Sequence, residues 1–326
     1  MSIRPTVAIA HPNIAFIKYW GNRDDKLRLP ANGSISMNLG ALATRTSVTF
    51  DPQLDEDVFI LNGIQQTGDS LVRVSRFLDI ARELTNSPLF ANIESINDFP
   101  TGAGIASSAS AFAALAMAAS SALGLDMDQG TLSRLARRGS GSACRSIPSG
   151  YTEWQIGASD LDSYAITLAD PDHWALTDCI AVIHSGEKEA GSSEGHRIAV
   201  TSPIQTARVA DAPRRLDDCR QAILTKNFER LAPVIEQDSN LLHAVMMTSN
   251  PALYYWRDGT VEVMNAVRTW RKQGIPCAFT IDAGPNVHVI CPTADATRLE
   301  SRLREIPGVE SVLVSGVGGG AELLSD

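Results

Sequence analysis

The sequence predicts an α+β protein built in two parts, and three observations carry that expectation. Its 326 residues suffice for one large or two ordinary domains, each burying its own core. Strand-like alternation runs through the first hundred residues and gives way after Pro100 to an Ala-rich helical stretch. From about residue 179 onward, helical and strand-like segments follow one another in an order that suits helices on one face of an antiparallel sheet. The 44% hydrophobic and 20% charged content is that of an ordinary globular chain.

Taken in order, "TVAIAH" (6–11) and "ATRTSVTF" (43–50) alternate as strands, and "FANIES" (90–95) forms another before the break at Pro100. The uncharged stretch 105–125 has the length of a membrane span, but its Ala and Ser residues are too weakly apolar, so it reads as a tightly packed buried helix. A second helix covers "DQGTLSRLARRGS" and ends near Gly139, and "GYTEWQIG" and "SYAITLA" are strands. The second part opens with the strand "CIAVIHS" (179–185). Helices follow around 203–224, 227–247 and 259–273, then strands "PCAFTID" and "NVHVICP", a helix near 293–304, and the strand "VESVLVS". No internal repeat or low-complexity linker separates the parts, which are expected to span residues 1–178 and 179–326. Residues 55–98 offer no motif. The terminal "SGVGGGAELL" reads as a turn, and Trp20 as a packing residue.

A net charge of −9 argues against a nucleic-acid surface, which needs clustered Lys and Arg, so an anionic substrate requires a local basic pocket. Cys144, Cys179, Cys219, Cys277 and Cys291 are odd in number and widely spaced, as free thiols in a reducing cytoplasm are. The first residues lack the apolar core of a signal peptide. The six histidines show no metal-ligand spacing.

Three segments carry chemistry. In "FPTGAGIASSASAF" (99–112), Gly102 and Gly104 allow close backbone approach, and Ser107 and Ser108 stand where a helix begins, offering hydroxyls and free N–H groups to phosphate. It is neither a Walker loop nor a complete dinucleotide fingerprint, and an ordinary helix cap is the alternative. In "RRGSGSACRSIPSG" (137–150), Ser140, Ser142 and Arg145 converge on carboxylate or phosphate oxygens, or else cap a helix end. In "AFTIDAGPNVHV" (278–289), Asp282 ends an apolar run before a turn, where it serves as a base or merely satisfies turn N–H groups.

Together "PNIAFIKYWGNRD", "FPTGAGIASSAS", "RRGSGSACRS" and "FTIDAGPNV" resemble the mevalonate diphosphate decarboxylases, in that order and across nearly the whole chain. These belong to the galactokinase, homoserine kinase, mevalonate kinase and phosphomevalonate kinase superfamily. The resemblance implies a ribosomal S5-like N-terminal domain, a ferredoxin-like C-terminal domain and an active site between them. It also implies ATP with Mg²⁺, a small-molecule substrate made of 5-phosphorylated mevalonate, and a homodimer. Asp282 matches the catalytic aspartate that takes the 3-hydroxyl proton, Lys18 the lysine beside it, and Arg145 the arginine facing the substrate carboxylate, with Asn13 orienting Arg145. Ser107 and Ser108 match phosphate-positioning residues; Tyr19, Ser140 and Ser142 match residues at the substrate's 5-phosphate end.

One departure bears on the substrate. Relatives acting on the diphosphate usually read "KYWGKRD", whereas this chain has Asn22, and where they often carry a lysine pair it has Lys188 followed by Glu189. Lys188 either serves ATP phosphates or is a solvated lysine. Two lost cations favour a smaller anion. The expected substrate is therefore 5-phosphomevalonate, giving isopentenyl phosphate, with 5-diphosphomevalonate as the alternative if Arg23 or Arg197 replaces the charge. A 3-kinase without decarboxylation and a non-catalytic sensor are the further alternatives, and both sit poorly with Lys18, Arg145 and Asp282 all in place.

Overall fold

The computed structural model describes residues 5–99, 107–186 and 191–325. Its elements run β1 (Thr6–Ala10), β2 (Asn13–Ile17), β3 (Asn22–Asp24), β4 (Leu29–Pro30), β5 (Ser34–Asn38), β6 (Thr44–Asp51), β7 (Val58–Leu61), β8 (Ile64–Gln66), α1 (Gly68–Thr85), β9 (Phe90–Asn97), α2 (Ser107–Ala122), α3 (Gln129–Gly139), β10 (Tyr151–Trp154) and β11 (Ala165–Ala169). There follow β12 (Leu176–Val182), α4 (Ser192–Ile198), α5 (Gln205–Leu224), α6 (Phe228–Thr248), α7 (Asp258–Lys272), β13 (Ala278–Thr280), β14 (Val287–Pro292), α8 (Ala296–Arg304), β15 (Ser311–Gly316) and β16 (Glu322–Leu323).

Three larger sheets and the two-stranded β3-β4 hairpin organise them. A six-stranded sheet has the order β16-β1-β6-β9-β7-β8, and only β7 and β9 run parallel within it. Two four-stranded antiparallel sheets have the orders β11-β10-β5-β2 and β13-β14-β12-β15. The Ala-rich stretch is the helix α2, pressed against the six-stranded sheet with Ala109, Ala113, Ala114, Ala116, Ala118 and Ala119 all buried. Alanine permits this close approach without side-chain entropy to lose. At the far end of α3, a Cβ on Gly139 would come within 2.0 Å of the Phe112 ring, so only glycine fits there.

The sheet β13-β14-β12-β15 has helices on both faces rather than on the single face expected. Cys179, Ala181 and Val289 pack against Val263 and Val267 of α7 and Leu299 and Leu303 of α8. Leu176, Ile180 and Ile290 face the other way, into a core shared with Ile14, Phe16 and Ile35 and with Ile223 and Ile235 of α5 and α6. All seven residues of β12 are buried, as a doubly covered strand requires. That strand occupies Leu176–Val182, three residues earlier than the sequence pattern indicates.

The terminal glycine segment is also more than a turn. β16 pairs with β1 in the register Ala8↔Leu323 and Ile9↔Glu322. The glycines let the backbone reach that edge: a Cβ on Gly318 would lie 2.6 Å from the Gly40 Cα, and one on Gly320 2.3 Å from the Ile147 carbonyl oxygen. Trp20 is a packing residue as expected, buried among Leu242, Val245, Met246 and Tyr255. The five cysteines are all buried and unpaired. Among the described residues no helix is long and apolar enough to cross a membrane.

Candidate active site

A cleft of ≈390 Å³ gathers residues from six separated segments. Lys18, just past β2, is 2% exposed, and its Nζ donates to Asp282 Oδ1 at 2.6 Å and to the Ala15 carbonyl at 2.7 Å. Burial pulls the Lys18 ammonium below the usual lysine range, while the Asp282 charge and hydrogen bond push it back up. The Asp282 side chain keeps 25% exposure on the cleft side. The turn N–H of Gly284 is taken by the Asp282 backbone carbonyl at 2.8 Å.

The position of Lys18 is fixed from the far half of the chain. Its backbone N–H donates to Asp238 Oδ2 at 2.7 Å, and its carbonyl accepts from Asn32 Nδ2 at 2.9 Å and from Arg208 Nη2 at 2.8 Å. Arg215 Nε in turn donates to Asp238 Oδ1 at 2.8 Å. On the other side, Ser239 of α6 accepts the Ile281 N–H at 2.9 Å, setting the residue before Asp282. These bracing residues of α5 and α6 carry no signal in the sequence, where charged residues on helices read as a solvated face.

Arg145 sits in a short 3₁₀ turn over Gly141–Ser146 and is 3% exposed. Its guanidinium donates to Asn13 Oδ1 at 3.0 and 3.2 Å, to Ser36 Oγ at 2.9 Å and to Ser34 Oγ at 2.6 Å. Asn13 is oriented by its own bonds to the Ser142 carbonyl and Ser146 Oγ. Every hydrogen-bond partner of Arg145 among the described residues is therefore neutral. A buried cation hydrogen-bonded to neutral groups and lining a cleft is poised to receive an anion. Burial is the first cause lowering its pKa.

Ser107 and Ser108 open α2 at the cleft, and Ser108 Oγ donates to Ser140 Oγ at 2.9 Å. Ser142 lines the same wall. Arg73 of α1, which the sequence did not single out, reaches Ser108 Oγ at 3.1 Å and the Gly139 carbonyl at 3.0 Å. Tyr19 lies flat on His196 of α4, with ring centroids 4.0 Å apart. A Cβ on Gly141 would intrude to 2.5 Å from the tyrosine ring. The Gly21 N–H donates to His196 Nδ1 at 3.0 Å, which places the ring proton on Nε2. Burial and nearby arginines hold His196 down to about 3, so it stays neutral. Sequence reading passed over His196 because it looked only for metal spacing.

Asn22 and Asn13 stand behind the cleft wall. Tyr19 Oη donates to Asn22 Oδ1, and Asn22 Nδ2 donates to Asp25 Oδ1 at 2.8 Å. Arg23 spends Nη2 on the carbonyls of Ile156 and Gly157, and the Arg197 side chain is 68% exposed. Gly102, Gly104, Lys188 and Glu189 lie outside the described residues.

A second cavity of ≈400 Å³ adjoins the first and shares Ser107 and Ser108 with it. Its apolar walls are Phe59, Leu61, Val74, Phe112 and Leu115, with Asp69, Ser70, Arg73, Ser95 and Asn97 as polar or charged points. An apolar chamber with a few polar groups, opening on a helix N-terminus, suits a flat ring system that carries phosphate. Among the described residues no group of three or more His, Cys, Asp or Glu is arranged to hold a metal ion.

Comparison with known proteins places this arrangement. Residues 10–165 match the diphosphomevalonate decarboxylase-like N-terminal domain family, and residues 179–315 the mevalonate 5-diphosphate decarboxylase C-terminal domain family. The diphosphomevalonate decarboxylase of Candida albicans is 36% identical over 89% of this chain and 85% of its own length. The phosphomevalonate decarboxylase of Haloferax volcanii is 34% identical over 98% of this chain and 97% of its own. A solved structure, MDDEF in complex with MVAPP, AMPPCP and magnesium, superposes with a TM-score of 0.93 at 41% identity, covering 99% of both chains. The two-domain kinase-superfamily fold is thereby established, and the motifs that meet in the cleft and the likeness along nearly all of both chains lead to one conclusion: the chain belongs to the mevalonate diphosphate decarboxylase family.

Proposed function

We propose that this chain is an ATP-dependent decarboxylase of 5-phosphorylated mevalonate that prefers 5-phosphomevalonate and yields isopentenyl phosphate. The observation that carries the reaction type is the Lys18–Asp282 pair, at 2.6 Å, in the same cleft as a buried Arg145 with only neutral partners. Asp282 accepts the proton of the substrate's 3-hydroxyl as its oxygen attacks the γ-phosphorus of ATP. Lys18 keeps the carboxylate in its ionised, oriented form. Arg145, steered by Asn13, holds the substrate carboxylate with its planar fork. When the C3–O bond breaks and phosphate leaves, the electrons of the C–C bond to the carboxylate form the alkene and CO₂ departs. Residues 1–178 supply the ATP and substrate contacts, and residues 179–326 supply Asp282.

Ser107 and Ser108 at the start of α2 fit the nucleotide phosphates, and the apolar cavity between α1, α2 and β9 fits the adenine. Gly102, Gly104 and Lys188 belong to the same proposed phosphate site. Asp282 is the only carboxylate among the described residues lining the cleft and is engaged by Lys18, while Asp69 lines the adjoining cavity. The residues thus fit a Mg²⁺ carried on ATP phosphates and water, with Ser107 or Ser108 as a hydroxyl ligand. When bound, that ion neutralises phosphate charge during transfer. The MDDEF complex with AMPPCP and magnesium supports both. The enzyme is proposed to work as a cytoplasmic homodimer.

The preference for the monophosphate rests on the other end of the cleft. Tyr19, Ser140, Ser142 and a neutral His196 line it, and the amide Asn22 behind Tyr19 is already engaged by Tyr19 and Asp25. Neutral donors match a smaller anion better than a diphosphate. The name of the Haloferax relative, matched along almost its whole length, supports this reading. The second reading, 5-diphosphomevalonate giving isopentenyl diphosphate, is favoured by the name of the Candida relative and by the complex with MVAPP. Purified enzyme given each substrate with ATP and Mg²⁺, with CO₂ release and ADP formation both recorded, decides. A higher kcat/KM for the monophosphate supports the proposal, a higher one for the diphosphate selects the second reading, and ADP without CO₂ refutes decarboxylation.

A further inference from the structure

Behind the catalytic Lys18 and Asp282 lies a second pair of polar residues that makes no contact with the cleft. Asp178 of β12 stands two residues from both Leu176 and Ile180, and His288 of β14 two from Ile290, so both belong to the sheet face that meets β2 in the shared core. His288 Nδ1 and Asp178 Oδ2 are 2.6 Å apart, and both side chains are buried. Among the described residues, Asp178 Oδ1 and His288 Nε2 have no hydrogen-bond partner. A half-satisfied polar pair is worse for stability than apolar residues of the same size, so stability does not account for it.

Its neighbours do. Opposite His288 on β13 is Thr280, whose Oγ1 donates at 3.3 Å to the Ala15 carbonyl, the same acceptor that takes Lys18 Nζ. Asp282 follows two residues on. Burial lifts the Asp178 carboxyl above the usual carboxylate range; His288, by charge and hydrogen bond, and then Lys18 draw it back, and the like charge of Asp282 lifts it again. Such interactions are mutual, so Asp178 acts on Asp282 as Asp282 acts on it. Lys18, Arg145 of the 3₁₀ turn and His243 of α6 also act on Asp282. Opposite Asp178 on β15 is the neutral Ser315, and the Cys291 thiol on the other face of β14 is coupled to Asp178 as well.

We propose that Asp178 and His288 are positioning residues for the decarboxylase, a buried pair that raises the affinity of Asp282 for the substrate's hydroxyl proton. This rests on Asp282 being the base. As among backbone groups, a buried N–H without an acceptor is rarer than an acceptor without a donor. The proton of the pair therefore sits on Nδ1, Nε2 is bare, and the pair carries one negative charge. In apolar surroundings that charge is weakly screened. A carboxylate held 2.6 Å from an ammonium is by itself a poor base, and the negative charge behind the sheet offsets that loss while favouring the Lys18 cation. No proton leaves the pair, which acts through its field alone.

The test is the pH dependence of kcat/KM, with ATP and Mg²⁺ saturating and whichever 5-phosphorylated mevalonate is turned over faster. Asp178→Asn, which removes the charge and keeps the shape, should move the acid limb to lower pH by about half a unit and reduce the plateau about threefold, with KM for ATP unchanged. His288→Leu should give the same shift, because Asp178 without its donor takes up a proton; its side chain suits the surrounding core, so it carries the test if Asp178→Asn does not fold. His288→Asn, which keeps an N–H at the Nδ1 position, should return the limb to its wild-type place. A merely structural pair would lower the thermal midpoint of the variants and leave the acid limb unmoved, and that result overturns the proposal, as does a limb moved to higher pH. Asp282→Asn, assayed alongside, separates the two readings. An acid limb that persists there at full activity removes Asp282 as the base and the proposal with it; a limb lost there but unmoved in Asp178→Asn and His288→Leu overturns the role of the pair alone.

Discussion

The deep wall of the cleft and its phosphate end solve the problem of holding an anion in opposite ways. At the deep wall, Lys18 and Arg145 are almost fully buried; Lys18 is held by neighbouring Ala15 and distant Asp282, and Arg145 by Asn13, Ser34 and Ser36 from distant strands. At the phosphate end, the lining consists of hydroxyls and a neutral imidazole, and the nearby Asn22 is an amide. Desolvated charge is costly unless its geometry is set in advance, so charge is found where the scaffold can impose that geometry. The phosphate end instead relies on donors that cost little to bury. On the proposed function, the chemistry belongs to the rigid, charged wall and substrate choice to the neutral end.

The largest effect that could break this division is at Asp282. Asp282→Asn should retain ATP and substrate binding but lose about 10²- to 10⁴-fold in both phosphorylation and CO₂ release, because an amide cannot accept the hydroxyl proton. Near-normal turnover in a folded variant would remove Asp282 from the mechanism. Next, Lys18→Met breaks an ion pair that is buried on one side, and such a loss costs about 3–5 kcal/mol when both partners are buried. With Asp282 partly open to the cleft, a loss at the low end, about 3 kcal/mol, is expected in denaturant unfolding. An unchanged unfolding free energy would mean that the pair contributes only to catalysis. Arg145→Lys keeps the charge but not the fork. It should lower kcat/KM by about 30-fold, or ~2 kcal/mol, chiefly through substrate alignment, and an unchanged value would deny Arg145 that contact.

Two smaller effects sharpen the comparison. His243, packed behind the deep wall, and His196, at the phosphate end, are both held down to about 3 by burial, below the ordinary histidine value near 6.5. Their neutral forms are favoured in the folded protein, so the stability they contribute is present above pH 6.5 and is lost as pH falls toward 3. Each should add up to about 1.4 kcal/mol per pH unit to the slope of unfolding free energy in that window. His243→Gln should reduce the slope, and a slope that does not change would show that His243 already titrates freely in the folded state. The smallest effect is expected at Asn22. Restoring a cation with Asn22→Lys should shift the ratio of kcat/KM values toward the diphosphate by about tenfold, the lower end of a charge-assisted hydrogen bond, because Asp25 nearby is exposed and competes for the lysine. No shift would mean that position 22 does not read the phosphate end.

How much of this was visible in the sequence follows the same division. Lys18, Arg145 and Asp282 stood out because each lies in a short apolar or small-residue segment where a charge is conspicuous, and Asn13 precedes the buried run of β2. Their supports did not stand out. Asp238, Arg208 and Arg215 sit on helices 190 to 220 residues from Lys18, and only the tertiary fold shows that all three are buried. Strands β2 and β5 escaped detection because Ser34, Ser36 and Asn38 are buried with the apolar residues beside them, which erases alternation. Helix α1 has a regular buried stripe of Val74, Phe77, Leu78 and Ala81, but Thr67 makes no side-chain cap and Gly68 adopts a positive φ, so its start gave no signal. With α1 went the apolar cavity that it lines.

The pairing of β16 with β1 sets the order of events in biosynthesis. During translation the outer edge of β1 stays open until residues 322 and 323 have left the ribosome, because the strand that covers it lies more than three hundred residues downstream. The core between β2, β5, α5 and α6 likewise waits for residues 278 and 290. The nascent N-terminal part therefore carries an uncovered sheet edge and an incomplete core until those residues are made, and closure joins residues more than three hundred positions apart. A chain shortened by its last few residues should fold slowly and aggregate through the exposed edge of β1, although none of the residues removed touches the cleft.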